Sequence, residues 1–154
     1  MAMICINTRI RAPREIVFDL SRSIDLHLES TAHTNEVVIA GRRSGLIELN
    51  ETVTWRAKHL GCYRELTTKI TDMEYPVKFE DRMTKGPFKY LQHIHLFREE
   101  DGGTLMTDLF YFAAPYGFLG RIVTVLGLKP YMKRLLYKRN CMIKARAEAF
   151  ITNP

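Results

Sequence analysis

The chain has 154 residues and only three cysteines, Cys5, Cys62 and Cys141. That odd count at wide, unpatterned spacing fits buried free thiols better than a disulfide framework or a zinc knuckle. No stretch approaches the roughly 18 apolar residues that cross a bilayer. The opening MAMICINTRIRAPRE lacks the apolar core of a secretory signal, so the expected location is cytoplasmic. No nucleophile triad, Gly-rich phosphate loop, internal repeat or low-complexity tract is visible. Acid is missing from one end. Residues 109–147 hold no Asp or Glu, yet carry Arg121, Lys129, Lys133, Arg134, Lys138, Arg139, Lys144 and Arg146. Of the net charge of +6, residues 1–108 contribute −1 (15 basic against 16 acidic) and the remainder +7 (8 against 1).

What is present fits one globular domain over residues 1–154, long enough to bury a core without staples. MICINTRI alternates as a first strand, and PREIVFDLSRS opens a short helix at Pro13 with Ile16, Val17 and Leu20 on one face. SIDLHLES continues as a second helical piece. The stretch from Thr31 to Gly45 is polar and irregular and reads as loop. The period then becomes two. ETVTWRAKHLG sets Val53, Trp55, Ala57 and His59 against Thr54, Arg56 and Lys58. YRELTTKIT, VKFEDRMTKG, KYLQHIHLF and, after REEDGG, TLMTDLFYF follow as consecutive antiparallel strands. APYGFLG stops the sheet, and the remainder is helical, interrupted at Pro130, with a final helix of about five turns from Tyr131 to Phe150.

This order and its local sequence resemble the START-related SRPBCC superfamily, in its bacterial single-domain branch similar to polyketide cyclase/dehydrase and lipid-transport proteins. The resemblance rests on RAPREIVFDL, ETVTWRAKHLG, ITDMEYPVKFEDRMTKGPFKY, HIHLF, GGTLMTD and APYGFLGRI. It implies an α+β helix-grip fold: a curved antiparallel sheet wrapped around a long C-terminal helix, with two short helices after the first strand. It also implies a function among binding of lipids, sterols or polyketides, cyclisation or dehydration, and assistance to protein complexes; fold alone does not choose. A curved sheet closed by one helix cannot interdigitate everywhere, so a guest, water or bulky side chains fill the gap. The bulky candidates are Trp55, Phe79, Met83, Phe97, Met106, Phe110 and Phe112.

YLQHIHLF places His93 and His95 on one strand face with Leu91 and Phe97. If Arg98 pairs with Gly103, His95 lies opposite Met106 and His93 opposite Asp108; a shift by two residues sets His95 against Asp108. A shift by one turns both to Thr107 and Leu109. The first family of registers is adopted, because Met106, Phe110 and Phe112 flank Asp108 on one face; the resemblance supports it, since relatives keep H-x-H and T-x-M-x-D. The same logic turns His59 and Asp81 inward. The expected wall of a cavity then holds His59, Asp81, His93, His95 and Asp108 among aromatics. Three readings stay open: a satisfied polar network, polar anchors for an apolar guest, or chemistry, with an H-x-H metal pair or an Asp-supported His as general base.

The basic LKPYMKRLLYKRNCMIKARAEAF places Leu135, Leu136, Met142, Ile143 and Phe150 at helical spacing. Either it is a lid helix with a solvated charged face, or Lys133, Arg134, Lys138 and Arg139 meet an anionic membrane surface or an acidic protein. Nucleic acid is not expected, for want of an aromatic-interleaved platform. The expectation is a noncatalytic protein binding a small apolar or amphipathic, lipid- or polyketide-like molecule, through Trp55, His59, Phe79, Asp81, Met83, His93, His95, Met106, Asp108, Phe110 and Leu135. No cofactor is expected and no metal is assigned. The alternatives are a cyclase or dehydratase using His93, His95 and Asp108, and an interaction module docking through the basic helix.

Overall fold

A computed structural model describes residues 1–115, 117, 120, 122 and 124–152. Much of APYGFLGRI, including Arg121 of the basic end, lies outside the described residues, as do the last two positions. Strand β1 (Ala2–Ile10) leads into helix α1 (Arg14–Ser21), capped by Pro13, and helix α2 (Ile24–Ser30), whose N-cap Ser23 accepts the Leu26 amide. A 3₁₀ turn (Ala32–Thr34) and strands β2 (Val37–Gly41), β3 (Thr52–His59), β4 (Cys62–Glu74), β5 (Lys78–Lys85), β6 (Tyr90–Glu100) and β7 (Gly103–Ala113) follow. A π turn (Thr124–Leu128) precedes the helix α3 (Lys129–Thr152).

The seven strands form one antiparallel sheet in the order β1-β7-β6-β5-β4-β3-β2. Along β3, β6 and β7 buried residues alternate with more exposed ones, as strand geometry requires when one face meets a core. The inner face carries Ile4, Trp55, Phe79, Phe97, Phe110 and Phe112. Helix α1 seats Phe18, wholly buried, against Phe79 and Phe97 with ring centroids 5.3 and 5.1 Å away. Helix α3 buries Leu136, Arg139, Asn140, Ile143 and Ala147, a stripe at helical spacing. No described helix is long and apolar enough to cross a membrane.

Three expectations are corrected, and the open choice of register is resolved. The segment from Thr31 to Gly45 is not all loop. It holds β2, an edge strand with a bulge between Val38 and Ala40 that destroys the alternation a strand reading depends on. The register of β6 on β7 lies within the expected family, as its two-residue shift from Arg98 opposite Gly103, because Asp101 and Gly102 alone make the turn, both at positive φ (49° and 76°). Such two-residue turns match the twist of paired strands, and here Glu100 opposes Gly103, which brings His95 opposite Asp108 and His93 opposite Phe110. Phe150 is exposed on α3. Cys5, Cys62 and Cys141 are all exposed thiols, Cys62 at the first position of β4 in the rim of a cavity.

Candidate functional site

Between the inner face of the sheet and helices α1, α2 and α3 lies a cavity in two adjoining chambers. The inner one, about 180 Å³, is walled by Trp55, Phe79, Leu91, Phe110, Leu135 and Leu136, with Asp81, His93 and His95 set among them. The outer one, about 250 Å³, reaches from Trp55 and His59 to the β3–β4 turn and the start of α3. The two share Glu36, Trp55, His59, Leu66 and Met132 in their walls. At the junction His59 Nδ1 and the Tyr131 hydroxyl are 2.8 Å apart, tying β3 to α3. Burial lowers the pKa of the half-buried His59 against the pull of Glu36.

Of the expected site residues, Trp55, His59, Phe79, Asp81, His93, His95, Phe110 and Leu135 stand in the cavity wall. Three do not. Met83 lies farther along β5, packed on the Phe110/Phe112 cluster. Met106 is completely buried under α1, its sulfur 3.3 Å from the Ser21 hydroxyl. Asp108, also without exposure, sits behind the two histidines. Strand alternation selects a face correctly but does not say which residues on it are covered by a helix.

The polar end of the inner chamber is built in layers. His95 stacks on Phe79 with centroids 4.1 Å apart, and the His93 ring meets Phe110 edge-on at 5.1 Å. Behind them Asp108 Oδ1 lies 2.9 Å from both His93 Nε2 and His95 Nδ1, the second contact being less well directed than the first. Asp108 Oδ2 accepts a 2.6 Å hydrogen bond from Asn140 Nδ2. Towards the chamber, Asp81 Oδ2 lies 3.3 Å from His95 Nε2 and 4.0 Å from His93 Nδ1. Desolvation on its own raises the pKa of Asp108, but hydrogen bonds and charge from His93 and His95 outweigh it and hold the carboxyl well below its usual range. Asp81 is lowered by the same balance, through His95 and His93. Burial, assisted by the neighbouring His95, pushes the His93 imidazole down to about 4, so it is neutral at physiological pH.

Arg139 belongs to this site and not to a docking surface. Its guanidinium is buried, donates from Nη2 to the Ser21 carbonyl at 2.5 Å, and holds Nη1 3.8 Å from Asp108 Oδ1. Arg139 and Asn140 follow Leu136 by three and four positions and precede Ile143 by four and three, so helical periodicity placed them inward. Their polarity masked that signal. Tyr131, His27 and Glu36 were also missed. His27 stacks on Trp55 at 4.2 Å and meets Glu36 Oε2 at 3.1 Å, in a segment where periodicity is weak. Desolvation raises the pKa of Glu36, and the His27 hydrogen bond and charge more than reverse it.

No protein-family model matches the chain, and no curated protein matches it in sequence. Solved structures do. A protein of Thermus thermophilus superposes with a TM-score of 0.70 at 17% identity, covering 95% of this chain and 99% of the other. A START superfamily protein of Mycobacterium smegmatis gives 0.67 at 12%, covering 96% and 98%. The major latex-like protein 151 of Panax ginseng gives 0.68 at 12%, covering 95% and 97%. The architecture is the START-like (SRPBCC) helix-grip fold.

Proposed function

We propose that the protein binds a small apolar or amphipathic molecule, lipid- or polyketide-like, between the sheet and α3. The observation that carries this reading is the cavity itself, whose wall is largely aromatic and aliphatic, with Asp81, His93 and His95 grouped at the inner end and Glu36 and His59 at the junction of the chambers. Apolar walls remove the guest from water and the few convergent polar groups orient it. Asp81, His93 and His95 would meet a carbonyl or hydroxyl, and the outer chamber would hold the rest of a guest too long for the inner one.

Trp55 is the only tryptophan and stands in the walls of both chambers, so its fluorescence reports on occupancy. Titration with oleate and with anilinonaphthalene sulfonate should give saturable quenching and a Tm that rises with probe concentration, by the equivalent of about 2.7 kcal/mol at a hundredfold excess over Kd. His93→Ala should weaken binding of oxygen-bearing guests while the protein still folds. An unchanged Trp55 signal and an unchanged Tm across the panel would sink the reading. The 2.9 Å Asp108–His93 pair also favours a second reading, general-base catalysis of cyclisation or dehydration. It requires turnover that His93→Ala abolishes, and retained turnover would remove it.

A further inference from the structure

His95 is caught between two carboxylates. Its Nδ1 is 2.9 Å from Asp108 Oδ1 and its Nε2 is 3.3 Å from Asp81 Oδ2. A neutral imidazole carries one proton, so whichever nitrogen holds it, the other sets a lone pair against a carboxylate oxygen. His93 adds to the conflict. With Nε2 donating to Asp108, its Nδ1 lone pair also turns towards Asp81, 4.0 Å away. With the His95 proton on Nε2, donated to Asp81, the Nδ1 lone pair is set against Asp108; with it on Nδ1, donated to Asp108, three acceptors converge on the chamber side of the pair, and a cation there satisfies all of them.

We propose that Asp81, His93 and His95 form a binding site for a divalent first-row transition metal of the Zn²⁺ or Fe²⁺ kind in the wall of the inner chamber. One donor atom from each of the three residues lies within 4.8 Å of the others. Bonds of about 2.0–2.1 Å place neighbouring donors about 3.0–3.4 Å apart, so the 3.3 Å pair already fits and the 4.0 Å pair closes by a small turn of Asp81. Asp108 supplies the supporting layer. It meets the other nitrogen of each imidazole and is itself held by Asn140, the arrangement that fixes ring orientation and raises ligand basicity in metal sites. Asp108, 3.8 Å away, and the charge of Asp81 both act on the single guanidinium of Arg139, and a dication offsets the excess negative charge. Two nitrogens and one oxygen leave coordination positions open. Those positions face the cavity, where they take water or an oxygen donor of a guest, such as a carbonyl or carboxylate. Metal binding and guest binding are separable, since a Co²⁺ or Zn²⁺ titration needs no organic guest and the Trp55 titration needs no metal.

The protein, stripped with EDTA, is titrated with Co²⁺ and Zn²⁺ by calorimetry and absorption spectroscopy. The expected result is one equivalent per chain, a visible Co²⁺ band displaced by Zn²⁺, and a Tm that rises with Zn²⁺. Asp81→Asn should lower affinity at least about tenfold, whereas His33→Gln, on an exposed turn, should leave it unchanged. Absence of saturable binding, an unchanged affinity in Asp81→Asn, or an equal loss in His33→Gln overturns the site. Nitrogen NMR showing both nitrogens of His95 protonated in the presence of equimolar Zn²⁺ overturns it too, because a proton then fills the place assigned to the metal. The Tm rise in the unmodified protein needs no variant and guards against a substitution that fails to fold.

Discussion

Asp108 is wholly buried, faces two imidazoles and accepts from Asn140. Asp108→Ala leaves these groups without their acceptor and Arg139 with one carboxylate fewer. Removing one partner from a buried charge cluster costs about 3–5 kcal/mol. A urea melt should show that loss with an unchanged m-value, and a loss under about 1 kcal/mol would mean that water or Asp81 replaces the lost oxygen. His93 gives the metal-free protein a second signature. Its folded pKa of about 4 lies below the unfolded value of 6.5, so between those pH values the unfolded chain binds the proton and the folded chain does not. Stability is therefore expected to fall as pH drops from about 6.5 to about 4, and to keep falling below that as Asp81 and Asp108, both depressed, are reached. In His93→Gln the upper part of that decline should flatten. The residue-level reading from sequence recovered His93, His95 and Asp81 because strand alternation fixes a face. It missed Arg139 and Asn140 because a charged or amide side chain inside a basic run does not look like core.

At the scale of elements, the pattern served best where one face of an element is covered and the other wet. Strands β3 to β7 and the pair α1 and α2 lie where the alternation and the opening proline put them. Edge strand β2 escaped, since with one neighbour and a bulge it has no clean period. The inward faces limited the β6–β7 register to one family, and Asp101-Gly102, a pair suited to a tight turn, selects the member of it that the structure has. Helix α3 now has a sharper surface. Lys133, Arg134 and Lys138 are exposed, and Arg139 is not. If this helix docks on anionic vesicles or an acidic protein, reversing those three to Glu should abolish salt-sensitive association and shift the melt little. Arg139→Glu alone should collapse the fold, as it sets a third carboxylate beside Asp81 and Asp108. Retained association in the triple reversal would remove this face from consideration.

At the scale of the whole molecule, the helix-grip architecture was legible from the order of elements, and the cavity followed from the geometry of a curved sheet under a helix. Its division into two chambers was not legible. At their junction His59 reaches Tyr131, 72 residues away, a contact no local pattern encodes. The sheet order has a consequence for assembly. The first strand pairs with the last, Ala2 opposite Phe112, so that seam closes a loop of more than a hundred residues. Non-local pairing of this kind slows folding. On a ribosome β1 must wait for the chain through β7 to emerge, exposing Ile4 and Ile10 meanwhile, and α3 arrives later still. The chamber walls exist only after synthesis has passed α3, which supplies Met132, Leu135 and Leu136, so a guest held by those walls cannot act as the template on which the sheet is built.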